Sequence, residues 1–158
     1  MNNIHILYIS ISGNTRNFIQ KLTNYAVDQH QRDPKAPLIT STEISDLTDF
    51  KDETTDFFVM VPTYLDGGNG IDNGVKELMT NTLGEYLMYH NNHQHVLGLI
   101  GSGNRNFNEQ YILTAKRYAK MTNSSVIDDY ELRGTPTDVM RIYKNLSRIN
   151  HNLQVTGR

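Results

Sequence analysis

A run of hydroxyl and amide side chains near the start of the chain, from Ser10 to Arg16, has the residue types of an anion-binding loop. It follows an apolar run and precedes a segment of helical character, as a loop between a strand and a helix would. Backbone N–H groups at the start of a helix, together with the positive end of the helix dipole, bind anions such as phosphate. Serine, asparagine and threonine are also ordinary helix N-caps, so this run is equally consistent with a capped helix without a ligand.

Two common phosphate-binding patterns do not occur in this run. It lacks the lysine that follows the glycine in P-loop nucleotide triphosphatases, which argues against an ATPase or GTPase. Gly13 stands alone, whereas a dinucleotide-binding loop carries three spaced glycines. Hydroxyl and amide groups without a lysine suit a phosphate monoester that is part of a larger ligand.

Two further polar, glycine-rich segments also follow apolar runs. Residues 62–74 contain four of the eleven glycines of the chain together with Tyr64, and residues 101–107 contain Arg105 and Phe107. Each segment offers backbone N–H and C=O groups and an aromatic face, although either aromatic side chain alone could simply pack against the core. A phosphate loop combined with two such segments is typical of a site for flavin mononucleotide (FMN).

Short apolar strands that alternate with helices must position these three segments. The strands are predicted at residues 4–9, 38–44, 56–61, 94–100 and 126–132. Helices are predicted at residues 14–27, 75–87 and 111–119, and after Thr135, with a frayed tail beyond about residue 150. The last helix has the pattern of a capped start, since Pro136 follows Thr135 and Asp138 lies three residues after it.

This alternation predicts one α/β domain over residues 1–158, with a doubly wound, five-stranded parallel sheet. In such sheets, ligands bind beyond the carboxyl ends of the strands, at the point where the strand order reverses. The first, third and fourth predicted strands each end in one of the three polar segments. We therefore expect these segments to converge on one edge of the sheet.

The composition narrows the classes of function. The 158 residues carry a formal net charge of −2 without a block of like charge, so neither nucleic acid nor an anionic membrane surface is indicated as a partner. No apolar run approaches the roughly 20 residues of a membrane span, and no signal sequence precedes the first strand, which predicts a cytoplasmic protein. The chain has no cysteine, so redox chemistry would require an organic cofactor or a metal.

Two other clusters of ionisable residues are weaker candidates. His90, His93 and His95 could approach a metal, but no nearby carboxylate completes a ligand set, and histidine at a helix C-terminus is the better interpretation. They are also expected at the opposite end of the sheet from the polar segments. The acidic residues between Asp46 and Asp56 are interpreted as a solvated face or as a surface for a basic partner.

Several segments resemble those of a known family. Ser10, Ser12, Gly13 and Thr15 match the phosphate-loop pattern Thr/Ser-x-Thr/Ser-Gly-x-Thr of the flavodoxin superfamily. The resemblance covers about residues 4–146 and narrows to the NrdI family, the flavodoxin-like accessory proteins of class Ib ribonucleotide reductase. The segments that carry the resemblance to this family are Pro62-Thr63-Tyr64 with Gly67-Gly68, Ser102-Gly103-Asn104-Arg105-Asn106-Phe107 and Tyr130-Glu131-Leu132-Arg133-Gly134-Thr135.

The resemblance implies a flavodoxin-like fold with strand order 2-1-3-4-5 and non-covalently bound FMN, without a catalytic side chain or a metal site. The residues that it implies for FMN binding are Ser10, Ile11, Ser12, Gly13, Asn14, Thr15, Pro62, Thr63, Tyr64, Leu65, Gly67, Gly68, Ser102, Gly103, Asn104, Asn106 and Phe107. The chain has Asn108 where the family usually has glycine. Its loop at residues 66–74 is longer than in many members of the family and resembles that of a variant subgroup.

The function implied by the resemblance is that of a redox accessory protein rather than a stand-alone enzyme. An electron donor reduces the flavin, which reacts with O₂ and yields an oxidant. That oxidant serves the small subunit of class Ib ribonucleotide reductase, where the dimanganese–tyrosyl radical cofactor is assembled. The alternatives are a general electron-transfer flavodoxin and a non-redox binding domain on the same fold.

Overall fold

The computed structural model describes residues 3–10, 13–63, 65–66, 76–77, 82–104 and 112–156. Five strands form one parallel sheet in the order β2-β1-β3-β6-β7, which is the predicted order 2-1-3-4-5 for the strands of that sheet. The elements in chain order are β1 (Ile4–Tyr8), α1 (Asn14–Arg32), β2 (Ile39–Glu43), β3 (Phe57–Pro62), β4 (Leu65–Asp66), β5 (Lys76–Glu77), α2 (Thr82–Met88), a 3-10 helix (Asn92–His95), β6 (Val96–Gly103), α3 (Leu113–Thr122), β7 (Val126–Glu131) and α4 (Pro136–Thr156).

The core lies in two layers, one on each face of the sheet. Successive residues of a strand point to opposite faces, so Ile6 packs with side chains of α1 and α4, while Leu7 packs with side chains of α2 and α3. Every residue of β3 is buried, as expected for a central parallel strand that is covered on both faces. The doubly wound α/β architecture is therefore confirmed.

The strand order reverses next to β1, because the chain passes from β1 to β2 on one side of it and then returns to β3 on the other. The strands β1, β3 and β6 are direct neighbours. Their carboxyl ends, which lead into the three predicted segments, therefore meet at one edge of the sheet. This is the position where ligands bind in open parallel sheets.

The helix predicted at residues 75–87 is shorter than expected. In the described residues it spans Thr82–Met88, and Lys76–Glu77 forms a two-residue antiparallel ladder with Leu65–Asp66. The apolar spacing that suggested a longer helix is satisfied from Leu83 onward, where the side chains are buried. Pairing with Leu65–Asp66 overrides the local helical pattern at Lys76 and Glu77, because helix propensity does not include a contact with another segment.

Two helices continue beyond their predicted ends. α1 reaches Arg32 rather than residue 27, and it ends where Asp33 becomes extended before a proline. α4 reaches Thr156, past the residue near which the tail was expected to fray. The apolar stripe of α4 continues from Ile149, which packs against the core, to the half-buried Leu153, and this favours the helical conformation beyond residue 150.

The predicted capping box at the start of α4 is confirmed. The Thr135 N–H donates to the Asp138 carboxylate at 2.8 Å, and the Asp138 N–H donates to the Thr135 hydroxyl at 3.2 Å. We expect Thr135→Ala to lower the free energy of unfolding by about 1 kcal/mol, because an alanine N-cap leaves a helical N–H group without this partner. Urea denaturation measures the change, with the exposed first-turn variant Thr137→Ala as control. Equal effects of the two variants would contradict the capping role.

Candidate functional site

The loop after β1 is closed by its own polar groups. Gly13 is the N-cap of α1 and has a φ of +92°, a left-handed conformation that favours glycine. The Ser10 hydroxyl oxygen accepts hydrogen bonds from the Gly13 N–H at 3.1 Å and, more weakly, from the Arg16 N–H at 3.4 Å. The Ser10 hydroxyl therefore accepts from backbone donors at the start of α1, as a capping side chain does, and N–H groups at this position are also those that an anion-binding loop offers to its ligand.

Thr15, in the first turn of α1, has a buried hydroxyl without a partner. The residue is 0% exposed, and its Oγ1 makes no hydrogen bond within the described part of the chain. A buried polar group without a partner is destabilising and rare in folded proteins, so it requires an explanation. A phosphate oxygen at the N-terminus of α1 would supply the missing acceptor, and the residues present therefore fit such a group.

Arg16, the cation nearest to this loop in sequence, is already neutralised by a carboxylate. Its Nε donates to Glu43 Oε1 at 2.9 Å and its Nη2 to Glu43 Oε2 at 2.7 Å. The Tyr8 hydroxyl also donates to Glu43, at 3.2 Å. The hydrogen bonds from the Arg16 guanidinium hold the pKa of the Glu43 carboxyl below its usual value of 4.5. This ion pair joins the first turn of α1 to the end of β2 rather than leaving a cation for a ligand.

The lowered pKa of Glu43 makes a pH-dependent contribution to stability. Because the pKa is lower in the folded state, the contribution is present above the unfolded value and is lost as pH falls through the folded pKa. We expect the unfolding midpoint of the unmodified protein to fall more steeply than that of Glu43→Gln between about pH 5 and about pH 3. The exposed variant Glu85→Gln serves as control, and parallel curves for Glu43→Gln and the unmodified protein would contradict the effect.

The ends of β3 and β6 are joined next to this loop. Pro62 pairs with Ser102 in the sheet, and the Thr63 N–H donates to the Ser102 carbonyl at 2.8 Å. The buried Thr63 hydroxyl accepts a hydrogen bond from the Thr114 N–H at 2.9 Å, so it also fixes the start of α3. Pro62, Thr63, Ser102 and Gly103 are thus brought together as predicted, with the Thr63 hydroxyl held by the fold.

The remaining predicted site residues lie at the ends of strands or outside the described part of the chain. Leu65 lies in the short ladder with Glu77. Asn104 directly follows β6 and is half-buried. Their contacts with a ligand remain predictions. The predicted residues that lie outside the described part of the chain are Ile11, Ser12, Tyr64, Gly67, Gly68, Asn106 and Phe107.

A fourth segment of the site, the turn between β7 and α4, was missed by the sequence-based prediction. The Leu132 N–H donates to the Gly103 carbonyl at 2.9 Å, and Arg133 Nε donates to Asn14 Oδ1 at 3.2 Å. The turn therefore touches both the first loop and the end of β6. The run Glu131–Thr135 served only as a family marker, although its position after the fifth parallel strand places it at the same edge of the sheet.

Two residues of the histidine cluster each have a carboxylate neighbour. His90 Nδ1 lies 2.6 Å from an Asp52 oxygen, and His95 Nδ1 lies 2.9 Å from an Asp56 oxygen. These contacts join segments about forty positions apart, so the local sequence does not reveal them. Within the described residues, however, no group of three or more suitable side chains could hold a metal ion. His95 precedes β6, so the cluster lies at the amino end of that strand, as expected.

The acidic segment after β2 is anchored to the fold rather than uniformly solvated. The buried Asn92 side chain accepts from the Glu53 N–H at 2.7 Å and donates to the Lys51 and Tyr86 carbonyls at 3.0 Å. Glu53 accepts a hydrogen bond from the Tyr86 hydroxyl, and Asp46 accepts one from the Thr82 hydroxyl. These hydrogen bonds give Asp46 and Glu53 of the acidic segment a structural role.

None of the helices in the described ranges is both long and apolar enough to cross a membrane.

The family model and the curated relatives that match this chain belong to the same family. Residues 6–144 match the family model described as NrdI flavodoxin-like. An NrdI-like protein of Streptococcus pyogenes serotype M1 is 44% identical over 146 residues, which cover 90% of this chain and 86% of the relative. A protein named NrdI from the same serotype is 30% identical over 151 residues, covering 94% of this chain and 80% of the relative.

Among solved structures, a short-chain flavodoxin associated with a bacterial microcompartment is similar over the full length of both chains. The TM-score is 0.58 and the sequence identity is 17%. At this identity the similarity shows the fold alone. The predicted flavodoxin-like fold is therefore confirmed.

Proposed function

The chain belongs to the NrdI flavodoxin-like family, and we propose from this premise that it binds FMN and serves class Ib ribonucleotide reductase. The family implies a flavin-binding redox role linked to that reductase. In the specific form proposed, the reduced protein converts O₂ into an oxidant for the reductase small subunit. That subunit uses the oxidant to assemble its dimanganese–tyrosyl radical cofactor. A separate electron donor reduces the flavin.

The observation that carries the choice of FMN is the unpartnered hydroxyl of Thr15. It lies buried in the first turn of α1, where backbone N–H groups also converge on the Ser10 hydroxyl oxygen. A hydroxyl donor and helix N–H groups are the donors that a phosphate monoester requires. A flavin without a phosphate would leave this hydroxyl unsatisfied, so the residues favour FMN over riboflavin.

The residues of the chain bind and orient the cofactor rather than react themselves. When bound, FMN supplies the electron transfer to O₂. Ser10, Asn14 and Thr15 would hold its phosphate at the start of α1. The ends of β3 and β6 would fix the position of the ring, since Thr63 and Ser102 are tied to each other and to α3. This rigid edge limits the freedom of any group bound against it.

The test is radical formation in the reductase small subunit. The FMN-loaded protein is reduced, mixed with the manganese-loaded small subunit and exposed to O₂, and the tyrosyl radical is measured by electron paramagnetic resonance. A general electron-transfer flavodoxin, reduced in the same way, is the control. We expect radical formation with this protein and only background formation with the control.

Two other outcomes would reject the proposal in different ways. A protein that binds FMN but produces no more radical than the flavodoxin control would be a general electron-transfer protein. A protein that stays colourless and takes up no added FMN would be a non-redox binding domain. A visible absorption spectrum separates the second outcome from the first before the small subunit is needed.

A further inference from the structure

We propose that Arg133, in the turn between β7 and α4, binds the cofactor phosphate and is the cation that the first loop lacks. This inference rests on the proposed binding of FMN and adds a residue from outside the predicted loops. It concerns affinity and the choice of ligand, since a cation at this position distinguishes FMN from riboflavin.

The positive charge available in the first loop is smaller than the negative charge of a phosphate monoester. Such a group carries about −1.5 to −2 charges near neutral pH, whereas a helix N-terminus contributes the equivalent of about +0.5. The charge of Arg16 is already paired, since its guanidinium forms a bidentate ion pair with Glu43. The unpartnered hydroxyl of Thr15 supplies a donor but no charge. A cation that approaches from another segment would add charge neutralisation to the neutral donors of this loop.

Arg133 lies next to the first loop, and its charge is not neutralised by a carboxylate of the described residues. Its Nε donates to Asn14 Oδ1 at 3.2 Å, and Asn14 directly precedes Thr15 in the chain. Within the described residues, no carboxylate forms an ion pair with it, in contrast to Arg16 and Arg141. Its Nη groups make no hydrogen bond to the described part of the chain. They are thus available to a phosphate oxygen, which arginine binds well through paired donors.

The contact with Arg133 also sets the orientation of the Asn14 side chain. Arginine can only donate hydrogen bonds, so the Asn14 amide must present its oxygen to Arg133. Its NH₂ group is then directed away from the guanidinium and is free to donate to a phosphate. Arg133 therefore adds a charge and, through Asn14, a correctly oriented neutral donor.

The backbone of the turn is built to hold Arg133 in this position. Leu132 has a φ of +56° although it is not glycine, and Gly134 has a φ of +75°. Hydrogen bonds from the Leu132 N–H to Gly103 and from the Gly134 N–H to Glu131 fix the turn on both sides of Arg133. Leu132 is 51% exposed, so its left-handed conformation costs energy that little burial of apolar surface offsets. Such strain persists where the geometry itself is required.

The experiment compares Arg133→Gln with the matched variant Arg32→Gln, which removes an exposed charge at the far end of α1. Dissociation constants for FMN and for riboflavin are measured by flavin fluorescence at several salt concentrations. We expect Arg133→Gln to weaken FMN binding by about tenfold to hundredfold and to leave riboflavin binding unchanged. The dependence of FMN affinity on salt should also decrease. Arg133→Lys should restore part of the affinity, and Arg32→Gln should change neither ligand.

Three outcomes would overturn the proposal. Unchanged FMN affinity in Arg133→Gln would show that the guanidinium does not reach the phosphate. Equal losses for FMN and riboflavin would assign Arg133 a structural role in the turn. Failure of the unmodified protein to bind FMN would reject the proposed function together with this inference, and this result is distinguishable because it does not involve the variant.

Discussion

Replacing Thr15 by valine is expected to stabilise the cofactor-free protein while weakening FMN binding. The Thr15 hydroxyl is completely buried and has no partner in the described residues, so its loss removes an unsatisfied polar group. Valine has nearly the same shape, which leaves the packing of α1 intact. We expect the free energy of unfolding to rise by about 1 kcal/mol and the affinity for FMN to fall by about tenfold to hundredfold. Urea denaturation and FMN titration measure the two effects.

Thr122 provides the matched control for this substitution. It is also a buried threonine on a helix, but its hydroxyl contacts the Tyr118 carbonyl at 2.8 Å and Ser124 Oγ at 2.6 Å. Thr122→Val should therefore lower the free energy of unfolding by about 1 kcal/mol and leave FMN binding unchanged. If Thr15→Val also lowers stability and does not affect FMN binding, its hydroxyl serves the fold rather than a ligand.

The opposite signs expected for Thr15 and Thr122 separate binding from folding. A buried polar group that destabilises the free protein is retained when it gains its partner from a ligand. This reasoning uses the free protein only, so the stability measurement is independent of the flavin titration. A gain of stability in the cofactor-free protein together with a loss of FMN affinity would support the position of the phosphate beside Thr15.

The sequence was sufficient to predict the sheet because buried parallel strands are short, continuous apolar runs. The run 57–61 is such a case, and its strand is buried throughout. The order of the strands came from the resemblance to flavodoxins rather than from any pattern. The ladder at Lys76–Glu77 was missed because it depends on pairing with Leu65–Asp66, which local apolar spacing does not encode.

The site was predictable only where its chemistry is local. Ser10 and Thr15 lie in one loop, and their residue types alone indicate an anion site. Arg133 contacts Asn14 across 119 positions, so nothing near either residue in sequence reveals the pair. The left-handed conformation of Leu132 is equally hidden, since leucine rarely adopts it and is not expected to mark a turn.

Gly134→Ala is expected to produce the largest loss of stability. A Cβ atom at this position would lie 2.5 Å from Cδ1 and Cε1 of Phe18. That ring is fully buried and stacked on Tyr130 with a centroid separation of 3.9 Å, so it cannot move aside easily. The φ of +75° adds about 1–2 kcal/mol of strain for a residue with a Cβ, and the clash adds about 1–3 kcal/mol. Urea denaturation should therefore show a loss of about 2–5 kcal/mol.

Gly13→Ala separates the backbone strain from the steric clash. Gly13 also has a left-handed backbone conformation, but an added Cβ there would not clash. Its φ is +92°, but the nearest atom to an added Cβ is Arg16 Nη1, at 4.0 Å and at the end of an exposed side chain. It should lose only the strain energy of about 1–2 kcal/mol. Equal losses for the two variants would mean that the Phe18 ring gives way. A larger loss for Gly134→Ala would establish that the close contact of the turn with Phe18, and not backbone strain alone, requires glycine at position 134.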